Sequence, residues 1–234
     1  MNNFNTMQSI GEIVSILPKA SEVFRKYNID FCCGGNRPLS AAIKEQGLNE
    51  SEIMQKLEEA YYQTKELVKK VDFRDMKSTE LIEYIVNTHH AYLRRSLPET
   101  GDLVAKVLRA HGANHQELFN VHKLFNALKT ELEQHLIKEE ELLFPLIRKY
   151  DSNPSDELRG QISKVLKETE DEHEGAGNIL KEMRRITAEY IVPDDGCRTY
   201  KLAYSMIQEI EGDLFEHIHL ENNILFKRFD LSVN

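Results

Sequence analysis

Apolar residues recur at three- and four-residue spacing through most of this 234-residue chain. That spacing gathers them on one face of a helix, and the alternating pattern typical of strands is nearly absent. Gly and Pro residues separate the periodic stretches. The sequence therefore predicts an all-α protein, whose four longest helices occupy about residues 78–97, 114–149, 160–190 and 197–228.

Four long helices of comparable length predict an up-and-down bundle. Pro145 is expected to kink the second of them. Shorter helical segments broken by Pro and Gly residues precede the bundle, followed by a charged amphipathic stretch at residues 51–70. We therefore expect two domains, a small helical domain at residues 1–72 and the bundle at residues 73–234.

Charge and hydropathy exclude several classes of partner. The chain carries 30 Lys and Arg against 39 Asp and Glu, a formal net charge of −9, and no stretch concentrates basic residues. Nucleic acid and anionic membranes are therefore not expected as partners. The N-terminus lacks a basic segment with an apolar core behind it, and no later segment approaches ~18 uninterrupted apolar residues. We expect a cytoplasmic protein.

Two His-x-x-x-Glu pairs, His135 with Glu139 and His217 with Glu221, lie on the second and fourth predicted helices. At about 100° per residue, the members of a pair lie about 40° apart, so both side chains can reach one point. Leu and Ile residues share that face with each histidine, so both pairs are predicted to point inward. His173 lies on a similar face of the third helix.

Buried carboxylates and imidazoles need a compensating cation, because uncompensated charge in an apolar core is costly. In an up-and-down bundle the histidines of all four helices fall at a similar depth, which predicts one common site. Imidazole and carboxylate ligands suit iron, manganese or zinc, and two glutamates that can bridge suggest two ions. Each histidine taken alone could instead be a hydrogen-bonded core residue.

The first predicted helix offers two adjacent histidines, His89 and His90, and periodicity slightly prefers His89. His111 precedes the helix break at Gly112, where a ligand entering from a loop and a surface histidine are equally compatible with the pattern. The remaining histidines point away from the ligand faces and are expected in solvent; they are His115, His122 and His219.

Four motifs resemble known proteins, and the resemblance covers essentially the whole chain. YNIDFCCGG at residues 27–35 resembles the N-terminal hallmark of the repair-of-iron-centres (RIC) di-iron family. HLIKEEELLFP at 135–145 and HIHLENNILF at 217–226 resemble haemerythrin-like domains, and DEHEGAG at 171–177 supports His173. The resemblance implies a haemerythrin-like up-and-down four-helix bundle behind a small helical domain.

The resemblance also implies the cofactor and its ligands. It implies two non-haem iron ions, bridged by the two glutamates and by an oxo or hydroxo group. It selects His90 over His89 and promotes His111 to a ligand. The implied set is His90, His111, His135, Glu139, His173, His217 and Glu221.

The function that the resemblance implies is repair of iron-sulfur clusters damaged by oxidative or nitrosative stress, by supplying iron to the damaged proteins. Two alternatives remain, a haemerythrin-like carrier or sensor of oxygen or nitric oxide, and an enzyme that reduces nitric oxide. Simple carriage does not need the Cys32–Cys33 domain, so we favour a repair protein that is not itself an enzyme. A homodimer would offer a further route between the thiols and the irons.

Cys32 and Cys33 are neighbours and therefore poorly placed for a structural disulfide, so we expect free thiols. Gly34 and Gly35 follow, and their freedom at positive φ would permit a tight turn. The N-terminus of the next helix would lower a nearby thiol pKa. We interpret the pair as accepting or passing iron, or as exchanging disulfides with a partner; the alternative is two small residues that fill a turn. Cys197 is expected to be a packing residue.

Overall fold

The computed structural model describes residues 4–65 and 72–229. Within these residues every regular element is helical, and the one β feature is an isolated antiparallel bridge between Ser9 and Pro38. The all-α prediction is confirmed. Residues 66–70 of the predicted amphipathic stretch lie outside the described residues.

The helices in chain order are α1 (Ile10–Ile16), α2 (Ala20–Lys26), α3 (Leu39–Gln46), α4 (Glu50–Lys65), α5 (Ser78–Ile85), α6 (Ala91–His111), α7 (Glu117–Lys138), α8 (Phe144–Ser152), α9 (Asp156–Ile186) and α10 (Arg198–Leu220). Three π-helical segments interrupt or extend these helices: π1 (Val86–His90) joins α5 to α6, π2 (Glu139–Leu143) joins α7 to α8, and π3 (Glu221–Leu225) follows α10. A 3₁₀ turn at Phe226–Arg228 follows π3.

These elements form two compact units. The first contains the residues up to Leu81 together with those from Phe215 onward, and the second contains residues 82–214. Residues of α10 contribute to both units.

The N-terminal helices of the first unit share a core with the segment at residues 215–229. α2 packs against α4, and α1 packs against π3. The ring of Phe31 is fully buried and meets the rings of Phe215 and His219 edge-on, with centroids 6.0 Å apart in each case. The guanidinium of Arg228 donates to the carbonyl oxygens of Met76 and Phe73 and so fixes the segment before α5.

Local signals explain where the small helices begin and end. The hydroxyl of Ser9 accepts a hydrogen bond from the N–H of Glu12 and so caps α1. Gly47 ends α3 at a φ of +63°, the left-handed conformation that glycine adopts without steric cost.

The second unit is an up-and-down bundle. α6 packs against α7, and α7 packs against α9. His89, just before α6, contacts Asp213 late in α10, while His111 at the end of α6 contacts Cys197 just before α10 begins. α6 and α10 are therefore antiparallel, as the predicted topology requires.

The predicted helix bounds need one correction, at Pro98. We predicted that the first long helix ends there, but α6 continues through Pro98 to His111. Pro98 is exposed, so water can satisfy the carbonyl oxygen that its missing N–H leaves without a partner. Pro145 falls in the first turn of α8, directly after π2, where a missing N–H is tolerated.

Among the described residues, no helix combines the length and the apolar character that crossing a bilayer requires.

Candidate metal centre

Each π-helical segment has a predicted ligand at one of its ends. His90 is the last residue of π1, Glu139 is the first of π2, and Glu221 is the first of π3. A π turn widens the helix by one residue and re-aims the side chains around it, and such turns occur frequently at functional sites. The ligand positions are therefore where these helices depart from regular geometry.

Six of the seven predicted metal ligands are buried. Their exposed fractions do not exceed 3%, and they are His90, His135, Glu139, His173, His217 and Glu221. Polar side chains that are this deeply buried are normally hydrogen-bonded or bound to a metal.

The ligand atoms of these six residues gather into two groups, within each of which all of them lie within 4.8 Å of one another. One group consists of His90, Glu139, His217 and Glu221, and the other of His135, Glu139, His173 and Glu221. Both carboxylates belong to both groups, whereas each imidazole belongs to one.

Within the second unit the imidazoles converge on the carboxylate of Glu139. Its Oε2 lies 3.3 Å from Nε2 of His90 and 3.3 Å from Nε2 of His135. Nε2 of His173 lies 3.1 Å from Nε2 of His135. The same ring nitrogen of all three histidines thus points toward one small volume.

Within the first unit, His217 and Glu221 form the second i,i+4 pair. Nε2 of His217 lies 3.0 Å from Oε1 of Glu221, and both side chains have no exposed surface. The spacing argument for the two His-x-x-x-Glu pairs therefore matches the geometry of each.

His90, and not His89, lies among the ligand atoms. Nδ1 of His89 contacts Oδ1 of Asp213 at 2.9 Å, and His89 belongs to neither group. The structure thus places in the group the neighbour that the resemblance selected, and not the one that periodicity slightly preferred. π1 is the physical reason, because its extra residue shifts the phase of the apolar pattern before it reaches the two histidines.

Acidic side chains contact two of the histidines at Nδ1, the ring nitrogen that faces away from the group of ligand atoms. Nδ1 of His90 lies 2.7 Å from Glu140, which Arg94 also contacts at 2.9 Å. Nδ1 of His135 lies 2.8 Å from Glu172. A proton on Nδ1 leaves the lone pair on Nε2, the nitrogen that points into the group, so these carboxylates favour the metal-binding tautomer.

Glu172 is ionised at any physiological pH. Its hydrogen bond with His135, followed by that with Nζ of Lys138 at 2.6 Å, lowers the pKa of Glu172 to about 2. The periodic pattern could not identify Glu140 or Glu172, because both read as ordinary charges on a solvated helix face.

The residues present fit a metal. Neither carboxylate oxygen of Glu139 receives a hydrogen bond from the described residues, although the side chain is fully buried. An ionised carboxylate in that position is costly unless a cation lies beside it. Imidazole nitrogens and carboxylate oxygens are the donors that iron accepts in proteins.

His111 does not reach this site. It ends α6, about 30 Å from His90 at 1.5 Å per residue along one continuous helix, and neither group among the described residues contains it. Its Nε2 instead lies 3.3 Å from Sγ of Cys197. The resemblance promoted His111 to a ligand, but α6 continues through Pro98 and places His111 at its far end.

Comparison with known proteins agrees with this geometry. Residues 81–229 match the hemerythrin HHE cation binding domain, and residues 6–61 match ScdA_N, a domain of unknown function (DUF542). The iron-sulfur cluster repair protein ScdA of Staphylococcus haemolyticus is 30% identical over 220 residues, which are 94% of this chain and 96% of that protein. The iron-sulfur cluster repair protein YtfE of Pectobacterium carotovorum is 36% identical over 224 residues, with the same coverage.

The chain belongs to this family of iron-sulfur cluster repair proteins. The probable iron-sulfur cluster repair protein of Haemophilus influenzae is 35% identical over 221 residues, which are 94% of this chain and 96% of that protein. The six buried candidate ligands lie in the segment that matches the hemerythrin HHE domain, and the Cys32–Cys33 pair lies in the segment that matches ScdA_N.

The Cys32–Cys33 turn is organised by Asp30. Its Oδ1 accepts hydrogen bonds from the N–H groups of Cys32, Cys33 and Gly34, at 3.1 to 3.2 Å, and from the thiol of Cys32 at 3.2 Å. Cys32 is buried and Cys33 is half-buried, with their sulfur atoms 3.8 Å apart. One carboxylate thus closes the turn and contacts the inner thiol.

Three expectations about the cysteines were wrong. The hydrogen bond with Cys33, burial and the charge of Asp30 raise the pKa of Cys32 well above its usual range, whereas we predicted that a helix N-terminus would lower it. Of the described glycines only Gly47 has a positive φ, so Gly34 and Gly35 do not serve the turn in that way. Cys197 is exposed rather than packed, and hydrogen bonds from the N–H of Tyr200 and from His111 lower its pKa to about 7.

The prediction that His219 is exposed to solvent was wrong. Its side chain is buried in the first unit, with Nε2 3.5 Å from the hydroxyl of Ser15. Burial lowers the pKa of His219 to about 4. His219 is therefore neutral at physiological pH.

We predict that Glu172→Gln weakens iron binding by about 10- to 100-fold, because the amide orients His135 less strongly and lowers the basicity of its Nε2. Glu174→Gln, an exposed position on the same helix, is the matched control and should bind iron as the unchanged protein does. Competition with a chromophoric chelator measures the affinity. Equal affinities for the two variants would contradict the role given to Glu172.

We predict that Asp30→Asn lowers the pKa of Cys32, because the amide oxygen still accepts hydrogen bonds while the negative charge that holds the thiol proton is removed. The midpoint of the pH profile for alkylation of Cys32, mapped by mass spectrometry, should move to lower pH. Asp102→Asn, an exposed aspartate on α6, controls for the change in net charge. An unchanged midpoint would show that Asp30 does not set the protonation of Cys32.

Proposed function

We propose that this protein repairs iron-sulfur clusters damaged by oxidative or nitrosative stress, and that it does so by supplying iron. The single observation that carries the proposal is that Glu139 and Glu221 each belong to both groups of ligand atoms. Carboxylates can bridge two metal ions, and two bridging glutamates with separate histidines for each ion describe a di-iron site.

In the proposed site, His90 and His217 would hold one iron, His135 and His173 would hold the other, and the two glutamates would be shared by both, with an oxo or hydroxo group completing the set that the resemblance implies. A bound iron pair supplies ions that can be released or can bind small diatomic gases. The protein's own contribution is to orient the imidazoles through Glu140 and Glu172 and to exclude water from the buried carboxylates.

The ligand set itself is part of the proposal, and His111 is left out of it. We retain the division into a thiol domain at residues 1–72 and a bundle at residues 73–234. In this scheme the half-buried thiol of Cys33 meets the partner first, and the buried thiol of Cys32 keeps its proton until the turn opens. The partners are damaged iron-sulfur proteins of the cytoplasm, and homodimerisation stays a prediction.

We predict that His90→Ala loses at least one of two irons per chain, whereas His89→Ala keeps both, because only His90 is among the ligand atoms. Anaerobic purification followed by elemental analysis gives the iron count. Thermal unfolding of the iron-free variants separates loss of a ligand from loss of the fold. If the protein without substitutions purifies with no iron, the assignment of these residues as iron ligands is wrong.

We predict that the iron-loaded protein restores activity to a dehydratase whose [4Fe–4S] cluster has been damaged by hydrogen peroxide. Under reducing conditions the double variant Cys32→Ala/Cys33→Ala should keep its irons and lose at least about 90% of the repair rate, since the thiols pass the iron onward. Cys197→Ala is the matched control and should repair at the normal rate.

The same assay separates repair from its rivals. A protein that holds two irons but restores no cluster would contradict repair and favour gas carriage. Catalytic consumption of nitric oxide in the presence of an electron donor would favour a reductase.

A further inference from the structure

Asn223 is a buried amide in the middle of π3, two residues beyond the proposed ligand Glu221. Only 7% of its surface is exposed. Neither the iron ligands nor the thiols account for a polar side chain at this position. Its contacts therefore need a separate explanation.

The amide of Asn223 holds the backbone of the thiol turn. Its Nδ2 donates to the carbonyl oxygen of Phe31 at 3.2 Å and to the carbonyl oxygen of Cys32 at 3.1 Å. Both hydrogens of the NH₂ group are thereby used. The segment that carries Glu221 is thus bonded directly to the residue that carries the inner thiol.

Two glycines make room for this amide. A Cβ atom on Gly35 would lie 2.7 Å from Oδ1 of Asn223, and one on Gly11 would lie 2.5 Å from it. The N–H of Gly11 also donates to the carbonyl oxygen of Gly35 at 2.8 Å. The carbonyl oxygen of Phe31 would lie 2.6 Å from the same Cβ on Gly35. Close approach of this carbonyl and of the Asn223 amide, and not a positive φ, explains why the Cys-Cys-Gly-Gly motif ends in glycine.

An apolar side chain would fill this position at lower cost. Oδ1 of Asn223 receives no hydrogen bond from the described residues, and a buried acceptor without a donor is destabilising. What the amide provides instead is a directional bond to two particular carbonyl groups. Such directional bonds from Asn223 hold the Cys32–Cys33 turn in a single conformation.

We infer that Asn223 is a positioning residue that couples the Cys32–Cys33 turn to the iron site through π3. The inference rests on the proposed function, since it takes Glu221 as an iron ligand. When iron holds Glu221, π3 is fixed, and Asn223 transmits that constraint to the turn. When iron leaves, π3 relaxes and the turn opens more often, so the inner thiol becomes accessible as the iron departs.

Coupling of this kind is reciprocal and can be measured on the thiol alone. Cys32 is buried, so its alkylation requires the turn to open, whereas Cys197 is exposed and serves as an internal reference in the same chain. Alkylation by iodoacetamide at fixed pH, with each cysteine mapped by mass spectrometry, gives both rates. The iron-free and the iron-loaded full-length proteins are compared.

In the unchanged protein we expect iron to slow alkylation of Cys32 by about fivefold or more. Without iron, Cys32 should be alkylated about tenfold faster in Asn223→Ala than in the protein without the substitution. The reason is that the variant lacks the two hydrogen bonds that close the turn. The effect of iron on the Cys32 rate should also disappear, while the iron count stays at two. Cys197 should react at the same rate throughout.

Asn120→Ala, an exposed asparagine on α7, is the matched control and should keep the effect of iron. If Asn223→Ala does not fold by circular dichroism, Gly11→Ala tests the same contact from the other side, because the two atoms nearest to its Cβ, at 2.5 and 2.7 Å, belong to the Asn223 amide. Gly160→Ala is its control, since nothing lies within 4 Å of a Cβ added there.

The outcomes separate this inference from the proposed function. Two bound irons with an unchanged Cys32 rate in Asn223→Ala overturn the inference and leave the di-iron proposal intact. An unchanged protein in which iron has no effect on Cys32 also overturns the coupling. A protein that binds no iron overturns the proposed function and the coupling together, and the iron-free rates then decide whether Asn223 closes the turn.

Discussion

The structure depends on accommodating two carboxylates, Glu139 and Glu221, inside a helical core. Neither has any exposed surface, and both belong to both groups of ligand atoms. Removing a charge from water is costly, so such a core is stable only with cations, or with protons, beside the carboxylates. The histidines, the acidic residues behind two of them and the π turns can each be understood as consequences of that requirement.

Periodicity and residue chemistry predicted the fold class, the bundle and both His-x-x-x-Glu pairs, because a 3.6-residue repeat and an inward-facing charge are visible in the sequence. They failed where the helices are irregular. The π turn that ends at His90 shifted the phase of the apolar pattern, and α6 continues through Pro98, where the sequence predicted the end of a helix. Neither irregularity has a recognisable signature in residue order.

The N-terminal motif shows a similar limit. Its thiols could be recognised, but their chemistry depends on side chains that sequence alone does not single out. Asp30 contacts Cys32 and opposes its ionisation, while a helix N-terminus and His111 favour the thiolate of Cys197. Cys197, which lies outside any recognisable motif, therefore has a more acidic thiol than Cys32 of the Cys-Cys-Gly-Gly motif, whose thiol keeps its proton.

Phe215, His219 and Asn223 all contact the N-terminal segment, although they lie inside the stretch that matches the hemerythrin HHE domain. The two matched segments are therefore separate in the sequence but share one core in the folded chain. A fragment cut between them would leave a buried phenyl ring, a neutral imidazole and a donor amide facing water. Gene fusions that shuffle these two segments would have to exchange the last turns of the bundle together with the thiol domain.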